Sequence, residues 1–206
     1  MNLRFLLSFF VLAFFSSKSF AFTELSFDFG YDKQVYGSLR QNKQTSRSYQ
    51  ASIAFFLYKY TAIELNASHS EQETLENNVI PVSGTDVSVV SLSTNVTSDT
   101  LGIGFRQAFA ARNAFIRPSI SIGYANQRIK DRTTFTFRDN GTGVTDRFSD
   151  PINKLRLDSI FMSFSMQVQL TQLFAIKGSV QSVFPAFDFD RATDDLKYTA
   201  GFSWIF

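Results

Sequence analysis

The sequence predicts an all-β fold: an eight-stranded, antiparallel, up-and-down transmembrane β-barrel, preceded by a cleaved signal peptide. Three observations predict it. Segments of about ten residues alternate apolar and polar side chains, which suits strands with lipid on one face and a polar interior on the other. The connections between these segments alternate between short and long. The chain ends at Phe206, on an apolar strand that would leave an aggregation-prone edge in a soluble sheet.

Residues 1–21 are predicted to be the signal peptide. Arg4 supplies the positive start, residues 5–15 supply an apolar run, and Ala21 is the small residue before the expected cleavage point. The alternative, a membrane-spanning helix, needs about 20 apolar residues and this run is shorter. The rest of the chain, residues 22–206, suits one domain, the barrel.

Composition and charge exclude several classes of protein. The chain has a formal net charge of +2, and subtracting Arg4 and Lys18 of the predicted signal peptide leaves 0 for the barrel. A neutral barrel has no bulk attraction for nucleic acid. The sequence has no cysteine, which excludes disulfides, thiolate metal sites and cysteine nucleophiles. We expect neither a cofactor nor a metal, because the aspartates near the C-terminus lack the spacing of a calcium loop.

Four strands are predicted in the first half of the barrel, at about residues 25–36, 49–58, 61–68 and 101–109. Only two residues separate the second strand from the third, which is typical of the short periplasmic turns of membrane barrels. The predicted lipid-facing residues of these strands include Phe27, Phe29, Ile53, Phe55, Ile63, Leu65, Leu101 and Ile103.

The second half contributes four more strands, at about residues 116–124, 160–170, 174–184 and 196–206. Pro118 cannot donate to a strand ladder, so we expect either a local bulge or a position near the strand start. In the last strand, the outward aromatic residues are Tyr198, Phe202, Trp204 and Phe206, and Ile205 is the one apolar residue that breaks the alternation.

A charged layer is predicted inside the barrel. Four charged residues on inward positions lie about three residues from a short turn, each on a different strand: Glu64, Arg106, Arg117 and Lys177. They should share one height with Gln167, and Glu64 should pair with Arg106 on the neighbouring strand. Three cations against one acid leave an excess, which Asp28 should help to balance. We expect a structural layer, with an ion or proton path or catalysis in the lumen as alternatives.

Aromatic residues gather near the short turns, which predicts a girdle at the membrane interface. They are Phe22, Tyr58, Tyr60, Phe109, Phe115, Phe174, Trp204 and Phe206.

Long connections are predicted at about residues 38–48, 71–98, 128–156 and 185–195. Val87, Val89 and Leu92 alternate, so the fourth strand should begin early and protrude. The turn sequence of residues 139–142 predicts a β-hairpin that carries Phe135, Phe137 and Phe148 above the membrane. These connections are interpreted either as a solvated crown or as an edge that binds a partner.

The single histidine, His69, is the only candidate base for acyl-transfer chemistry of the kind that some small barrels perform. On a strand, His69 and Glu71 share one face and Ser70 points to the other, so a histidine and a serine do not meet. We therefore expect no catalytic residues, and a surface histidine at a strand end.

The alternating strands and the aromatic ending at residues 196–206 resemble those of small bacterial outer-membrane β-barrels, the OmpA transmembrane-domain and OmpX-like family. The resemblance implies a monomer in the outer membrane of a Gram-negative cell envelope, surrounded by outer-membrane lipid and lipopolysaccharide. It also implies that the barrel-assembly machinery recognises the last strand. The expected role is structural or adhesion-like surface interaction with an extracellular protein partner, without catalysis. Alternatives are a narrow porin-like pore and, lower, a lipid A-modifying enzyme.

Overall fold

The computed structural model describes residues 22–37, 39–186, 188, 190 and 196–206. The predicted signal peptide lies outside these residues. Ten strands are found within them: β1 (Phe22–Tyr36), β2 (Asn42–Phe56), β3 (Thr61–Glu76), β4 (Ile80–Pro81), β5 (Val87–Ala108), β6 (Ile116–Asp139), β7 (Thr145–Ser149), β8 (Asn153–Gln169), β9 (Phe174–Pro185) and β10 (Lys197–Ile205). Within the same residues, no helix is long and apolar enough to cross a membrane.

Eight of these strands close into a ring in the order β1-β2-β3-β5-β6-β8-β9-β10, with β10 pairing back onto β1. Every pairing is antiparallel and each strand pairs with the next strand of the ring. The predicted fold class, an eight-stranded up-and-down barrel, is confirmed. β4 and β7 are additional short strands outside the ring, attached to β5 and β6.

The two faces of the barrel wall have opposite polarity. Phe164 and Trp204 point outward and keep 45% and 47% of their surface exposed. Serine, glutamine and charged side chains such as Ser121 and Gln167 are buried inside. An apolar exterior around a polar interior is the arrangement that a hydrocarbon surrounding requires.

The seam between β1 and β10 closes the barrel. Leu25 lies opposite Trp204 and Phe27 opposite Phe202, so apolar side chains continue across the seam on the lipid face. Gly201 is needed there, because a Cβ at this position would overlap the carbonyl oxygen of Phe27.

Three predicted details of the barrel are corrected or resolved. Phe22 belongs to the interior and not to the interfacial girdle: it is buried and stacks on Phe56, with ring centroids 4.1 Å apart. Ile205 breaks the alternation because it points inward into the same apolar cluster. Pro118 is the third residue of β6 and its register with Met166 is uninterrupted, so it sits near the strand start and no bulge is present.

The first three long connections are much shorter than predicted, because the strands extend well beyond the apolar band; most of the fourth, at residues 185–195, lies outside the described residues. β3 continues to Glu76, β6 continues to Asp139, and β8 already begins at Asn153. Outside the membrane both faces of a strand contact water, so the apolar alternation that marks a membrane strand is lost while backbone pairing continues. The early start of the fourth ring strand is correct, since β5 begins at Val87.

The pairing of β5 with β6 continues as far as the pair Val87 and Asp139. β4 pairs with the outer side of β5, and β7 pairs with the outer side of β6. We call the part beyond the barrel, residues 80–96 and 131–149, the projecting sheet. β5 has 22 residues and β6 has 24. Crossing a membrane takes about 9–11 residues of a tilted strand, so about half of each strand lies outside.

Candidate functional site

Arg106 of β5 is the centre of the polar interior. Its side chain is 2% exposed, and it binds residues of four other strands, including Ser121 of β6, to which Nε donates at 3.4 Å. Its Nη1 donates to Glu24 Oε1 at 2.7 Å, while its Nη2 and Nε donate to the two carboxylate oxygens of Glu64 at 2.7 and 2.9 Å. Nη2 also donates to Ser52 Oγ at 3.1 Å. The expected pairing of Glu64 with Arg106 is thus a two-bonded, buried ion pair, a geometry that fixes strand positions as well as charge.

Glu24 is the residue that the sequence reasoning missed. It is completely buried and joins two cations, since Arg117 Nη1 donates to its second oxygen at 3.0 Å. The amide of Gln167 also donates to Glu24. The first strand was predicted to begin at residue 25, three positions too late. Extending the alternation of Ser26 and Asp28 backwards by one step would have placed Glu24 on the inner face.

Asp28 contributes the third carboxylate. Lys177 Nζ donates to Asp28 Oδ2 at 2.7 Å, so the balancing contact expected of Asp28 is present in the structure. With Glu24 included, this group contains three cations and three carboxylates, and the expected excess of positive charge does not arise. We call these six residues and Gln167 the interior network. Its matched charges avoid the cost of several kcal/mol that a single buried, unpaired ion would carry.

Aromatic rings fill the barrel below the interior network. The stacked Phe22 and Phe56 rings lie at the short-turn end of the barrel, and the guanidinium carbon of Arg117 is 4.6 Å from the Phe56 centroid. This cation–π contact joins the rings to the ion pairs. The interior network therefore packs against the rings of Phe22 and Phe56, which we call the apolar floor and which fill this part of the lumen.

A second apolar plug lies higher in the barrel. Phe161 of β8 is buried against β5 and β6, where a Cβ at Gly102 or Gly123 would come within 2.9 or 2.5 Å of its ring. The missing side chains of these glycines make room for the ring. Ala125 and Val183 complete this cluster.

The projecting sheet carries the aromatic residues that the sequence singled out. Phe135 of β6 lies opposite Phe148 of β7, and the Phe135 and Phe137 ring centroids are 6.2 Å apart. Leu92 lies opposite Phe135 on the other side and Val89 opposite Phe137. Phe148 keeps 56% of its surface exposed. These residues form an apolar face, which we call the aromatic face, on a sheet that stands clear of the barrel.

The turn between β6 and β7 is held by Asp139. Its Oδ1 accepts hydrogen bonds from the backbone N–H groups of Thr142, at 2.7 Å, and Gly141, at 2.9 Å. The hydrogen bond from Thr142, followed by that from Gly141, lowers the pKa of Asp139 below its ordinary value. Asn140 bonds to Ser88, and this contact ties the turn to β5. The tip of the projecting sheet is therefore a hydrogen-bonded unit.

β7 is the end strand of the sheet. It pairs with β6 from Thr145 to Ser149, and no strand in the described part of the chain pairs with its other side. Such an edge presents backbone donors and acceptors to which an extended peptide can bind.

His69 lies on the outer rim, directly above the apolar band. Its Nδ1 is 2.7 Å from Asp99 Oδ1 and its Nε2 is 3.3 Å from Glu71 Oε1. The hydrogen bond to Asp99 raises the pKa of His69 above its ordinary value of 6.5. Ser70 points inside, where it accepts a hydrogen bond from Lys197 at 3.0 Å. Both ring nitrogens therefore face carboxylates, whereas a general base for a hydroxyl nucleophile needs one nitrogen turned toward that hydroxyl.

The aromatic residues of the last strand lie on the lipid face. Tyr198, Phe202, Trp204 and Phe206 are all exposed there. The Phe174 ring contacts both Phe202, at 5.8 Å, and Trp204, at 6.4 Å between centroids. Within the residues that the structure describes, no group of three or more metal-ligating side chains is suitably placed to hold a metal.

Comparison with known proteins supports the fold. No protein-family model and no curated protein matches the sequence. Among solved structures, the outer membrane protein OprG from Pseudomonas aeruginosa is 11% identical, with 91% of this chain and 97% of that chain covered and a TM-score of 0.52. The N-terminal β-barrel domain of Pseudomonas aeruginosa OprF is 15% identical, with 90% and 97% covered and a TM-score of 0.47. The attachment invasion locus protein Ail of Yersinia pestis is 12% identical, with 90% and 99% covered and a TM-score of 0.45. The likeness to OprG shows that this chain has the fold of small outer-membrane β-barrels.

Proposed function

We propose that this chain is an integral outer-membrane protein whose closed barrel anchors the projecting sheet for interaction with an extracellular partner. The apolar band on the outside of the ring supports the membrane location, because it would aggregate in water. The filled lumen supports a scaffold role. The interior network, the stacked rings of Phe22 and Phe56, and the cluster around Phe161 occupy the space that a transport path would use. The role is non-catalytic, since His69 has carboxylates at both nitrogens.

The projecting sheet is the observation that carries this proposal. An anchor needs strands only as long as the membrane is thick, yet β5 and β6 continue far beyond it and gain two flanking strands. A water-exposed sheet with exposed apolar side chains on one face has the character of a binding surface. The partner that suits it best is an extended segment of an extracellular protein.

Strand addition at β7 is the binding mode that the geometry supports. The backbone of an added strand would pair with the outer side of β7, and its alternate side chains would contact Phe148 and Phe135 on the aromatic face. The chain itself enters the membrane as a monomer, with its last strand recognised by the barrel-assembly machinery through its lipid-facing aromatic residues.

A double variant on the aromatic face tests the proposal. In Phe135→Ser/Phe148→Ser, bacteria that express the chain should adhere at least fivefold less to a surface coated with extracellular protein. The matched control, Thr134→Ala/Thr136→Ala, changes the opposite face of β6 and should adhere like the wild type. Heat-modifiable gel migration should persist in both variants, because the barrel lies elsewhere. Equal adhesion of the aromatic variant and the wild type would show that the aromatic face does not bind a partner.

A narrow pore is the second candidate, and unpaired polar atoms in the lumen favour it. Asp28 Oδ1, Gln50 Oε1, Asn66 Nδ2 and Gln181 Nε2 are buried and find no hydrogen-bond partner in the described part of the chain. Buried polar groups of this kind usually bind internal water. Single-channel recording of the wild-type chain in planar bilayers separates the two functions: a scaffold gives no conductance steps, whereas a narrow pore gives discrete ones.

A further inference from the structure

The outer rim carries a concentrated positive charge where β6 pairs with β8. Arg128 and Lys130 of β6 lie directly opposite Arg156 and Lys154 of β8. All four side chains are exposed and occupy outward positions of their strands. We call these four residues the cationic patch.

Like charges placed directly opposite each other in an antiparallel pair destabilise the sheet. None of the four cations forms an ion pair among the described residues, because the nearby carboxylates are already engaged. Asp99 lies opposite Arg128 but is bonded to His69, and Asp158 accepts the hydroxyl of Tyr124 at 2.5 Å. The cationic patch therefore has the charge of a site for an anion supplied from outside the chain.

The height of the cationic patch identifies the anion. Tyr124 and Ile160 form the last outward pair of the apolar band below it. Arg128 comes four residues after Tyr124, about 14 Å along the strand at about 3.4 Å per residue. With a strand tilt of about 40°, this is a rise of about 10 Å, which reaches the polar headgroup layer of a bilayer. Arginine and lysine side chains can also bend back toward the membrane surface.

We propose that the cationic patch binds the phosphate groups of lipid A in the outer leaflet, so that a lipopolysaccharide molecule sits against β6 and β8. This inference rests on the proposed placement in the outer membrane. Arginine binds phosphate oxygens through paired N–H donors, and lysine adds a flexible point charge. Successive outward residues on a strand are about 7 Å apart. The Arg128–Arg156 pair and the Lys130–Lys154 pair can therefore bind two separate phosphates of one glycolipid.

The neighbouring sector of the rim, on β3 and β5, disfavours the same ligand. On β3, the outward positions at this height are His69, Glu71 and Glu73, and Asp99 of β5 adds another carboxylate. Phosphates would be repelled by these acids and attracted by the cationic patch. The site is therefore confined to one sector of the barrel, whereas a uniform basic ring would bind lipid on all sides.

The test compares two quadruple variants that lose the same charge. One is Arg128→Gln/Lys130→Gln/Lys154→Gln/Arg156→Gln. The other changes exposed cations on β1, β2 and the connection between them: Lys33→Gln/Arg40→Gln/Lys43→Gln/Arg47→Gln. The full chain is refolded in phosphocholine micelles, and folding is checked by heat-modifiable gel migration. Binding is titrated with fluorescent lipid A that bears two phosphates, with dephosphorylated lipid A and with a heparin fragment. Arg128→Gln/Arg156→Gln serves as a milder variant if the first one does not fold.

The patch variant should bind lipid A with two phosphates at least tenfold more weakly than the wild type, and the other variant should change less than twofold. Removing the phosphates from lipid A should reduce wild-type binding to the level of the patch variant. Equal binding by the wild type and the patch variant overturns the lipid A site and leaves the proposed scaffold function standing. Tighter binding of the heparin fragment than of lipid A assigns the patch to a soluble polyanion instead. A wild-type chain that forms no heat-modifiable barrel overturns both proposals.

Discussion

The barrel wall and the projecting sheet share two strands, β5 and β6, yet their faces have opposite polarity. On β6, the even-numbered residues Ile122 and Tyr124 face lipid, and the odd-numbered Arg117 and Ser121 face the interior network. Higher on the same strand the pattern inverts: the odd positions are Phe135 and Phe137 and the even ones are threonines. β6 itself contains no register shift, since its pairing with β5 runs from Ser119 to Asp139 and the one irregularity lies on β5, between Val89 and Ser91.

This inversion shows that the surroundings, and not the strand, decide which face is apolar. Inside the membrane the exterior is hydrocarbon and the polar groups satisfy one another in the lumen. Beyond the membrane the exterior is water, so the outward face becomes polar and the aromatic residues move to the lumen side. The same substitution should therefore have different consequences in the two regions, and paired variants test this.

Removing one carboxylate should have a large effect on stability inside the barrel and almost none on the exposed rim above it. Glu24→Ala leaves Arg106 and Arg117 buried without a shared partner, and removing one member of a buried ion pair costs about 3–5 kcal/mol. The comparison variant is Glu73→Ala on the exposed rim, which should change stability by less than about 0.5 kcal/mol. Urea unfolding in lipid vesicles, followed by the fluorescence of the single Trp204, measures both. Equal urea midpoints for Glu24→Ala and the wild type would contradict the structural role of the interior network.

The second pair of variants removes one aromatic ring from each region. Phe56→Ala removes a buried ring that stacks on Phe22 and contacts Arg117, so it should lower the free energy of unfolding by about 3–5 kcal/mol. Phe148→Ala removes a ring that is already more than half exposed, and it should cost less than about 1 kcal/mol. The same urea titration applies, and similar costs at the two positions would mean that the projecting sheet is as tightly packed as the barrel floor.

The closing seam gives a third, smaller contrast, here between two glycines of neighbouring strands. At Gly201 a Cβ would overlap the Phe27 backbone, so Gly201→Ala must push β1 and β10 apart, at a cost of about 1–3 kcal/mol. Gly178 of β9 has open space where its Cβ would lie, and Gly178→Ala should leave the barrel intact. The fraction of heat-modifiable protein after refolding reports the difference. A fully closed Gly201→Ala barrel would show that the seam is wider than the structure has it.

The sequence predicted the regions of this molecule unequally, and the reason is physical. Lipid forces a strict alternation, so the ring, its inner and outer faces and the pair of Glu64 with Arg106 could be predicted. Glu24 and Phe22 were missed because they lie at the first residues of β1, next to the predicted cleavage point, where too few neighbours remain to establish a period. The extended strands beyond the membrane were taken for loops because water contacts both of their faces and removes the alternation.

Interior side chains were hard to predict in detail for another reason. Alternation assigns a residue to the lumen, but it does not say which residues meet across the barrel. Glu24 and Arg117 are 93 positions apart in the chain, and Lys177 and Asp28 are 149 apart. Such contacts depend on strand tilt and on the stagger of the closed ring, which are properties of the whole barrel and not of a local sequence segment.

The smallest expected effect concerns the hairpin tip, whose stability should depend on pH. The folded pKa of Asp139 is lowered by hydrogen bonds from Thr142 and Gly141, so the carboxylate stabilises the turn above its unfolded pKa, which is about 3.8. This contribution should be lost as pH falls through the lower, folded value. The hydrogen exchange of the Thr142 amide can be followed by NMR in micelles. On acidification it should become faster than the intrinsic pH dependence of amide exchange predicts. Asp139→Asn keeps an acceptor oxygen but cannot titrate, so its hairpin should open to the same extent at neutral and at acidic pH. If the wild-type hairpin is equally insensitive, then the backbone pairing of β6 with β7 holds the tip closed, and the Asp139 carboxylate is not needed for its rigidity.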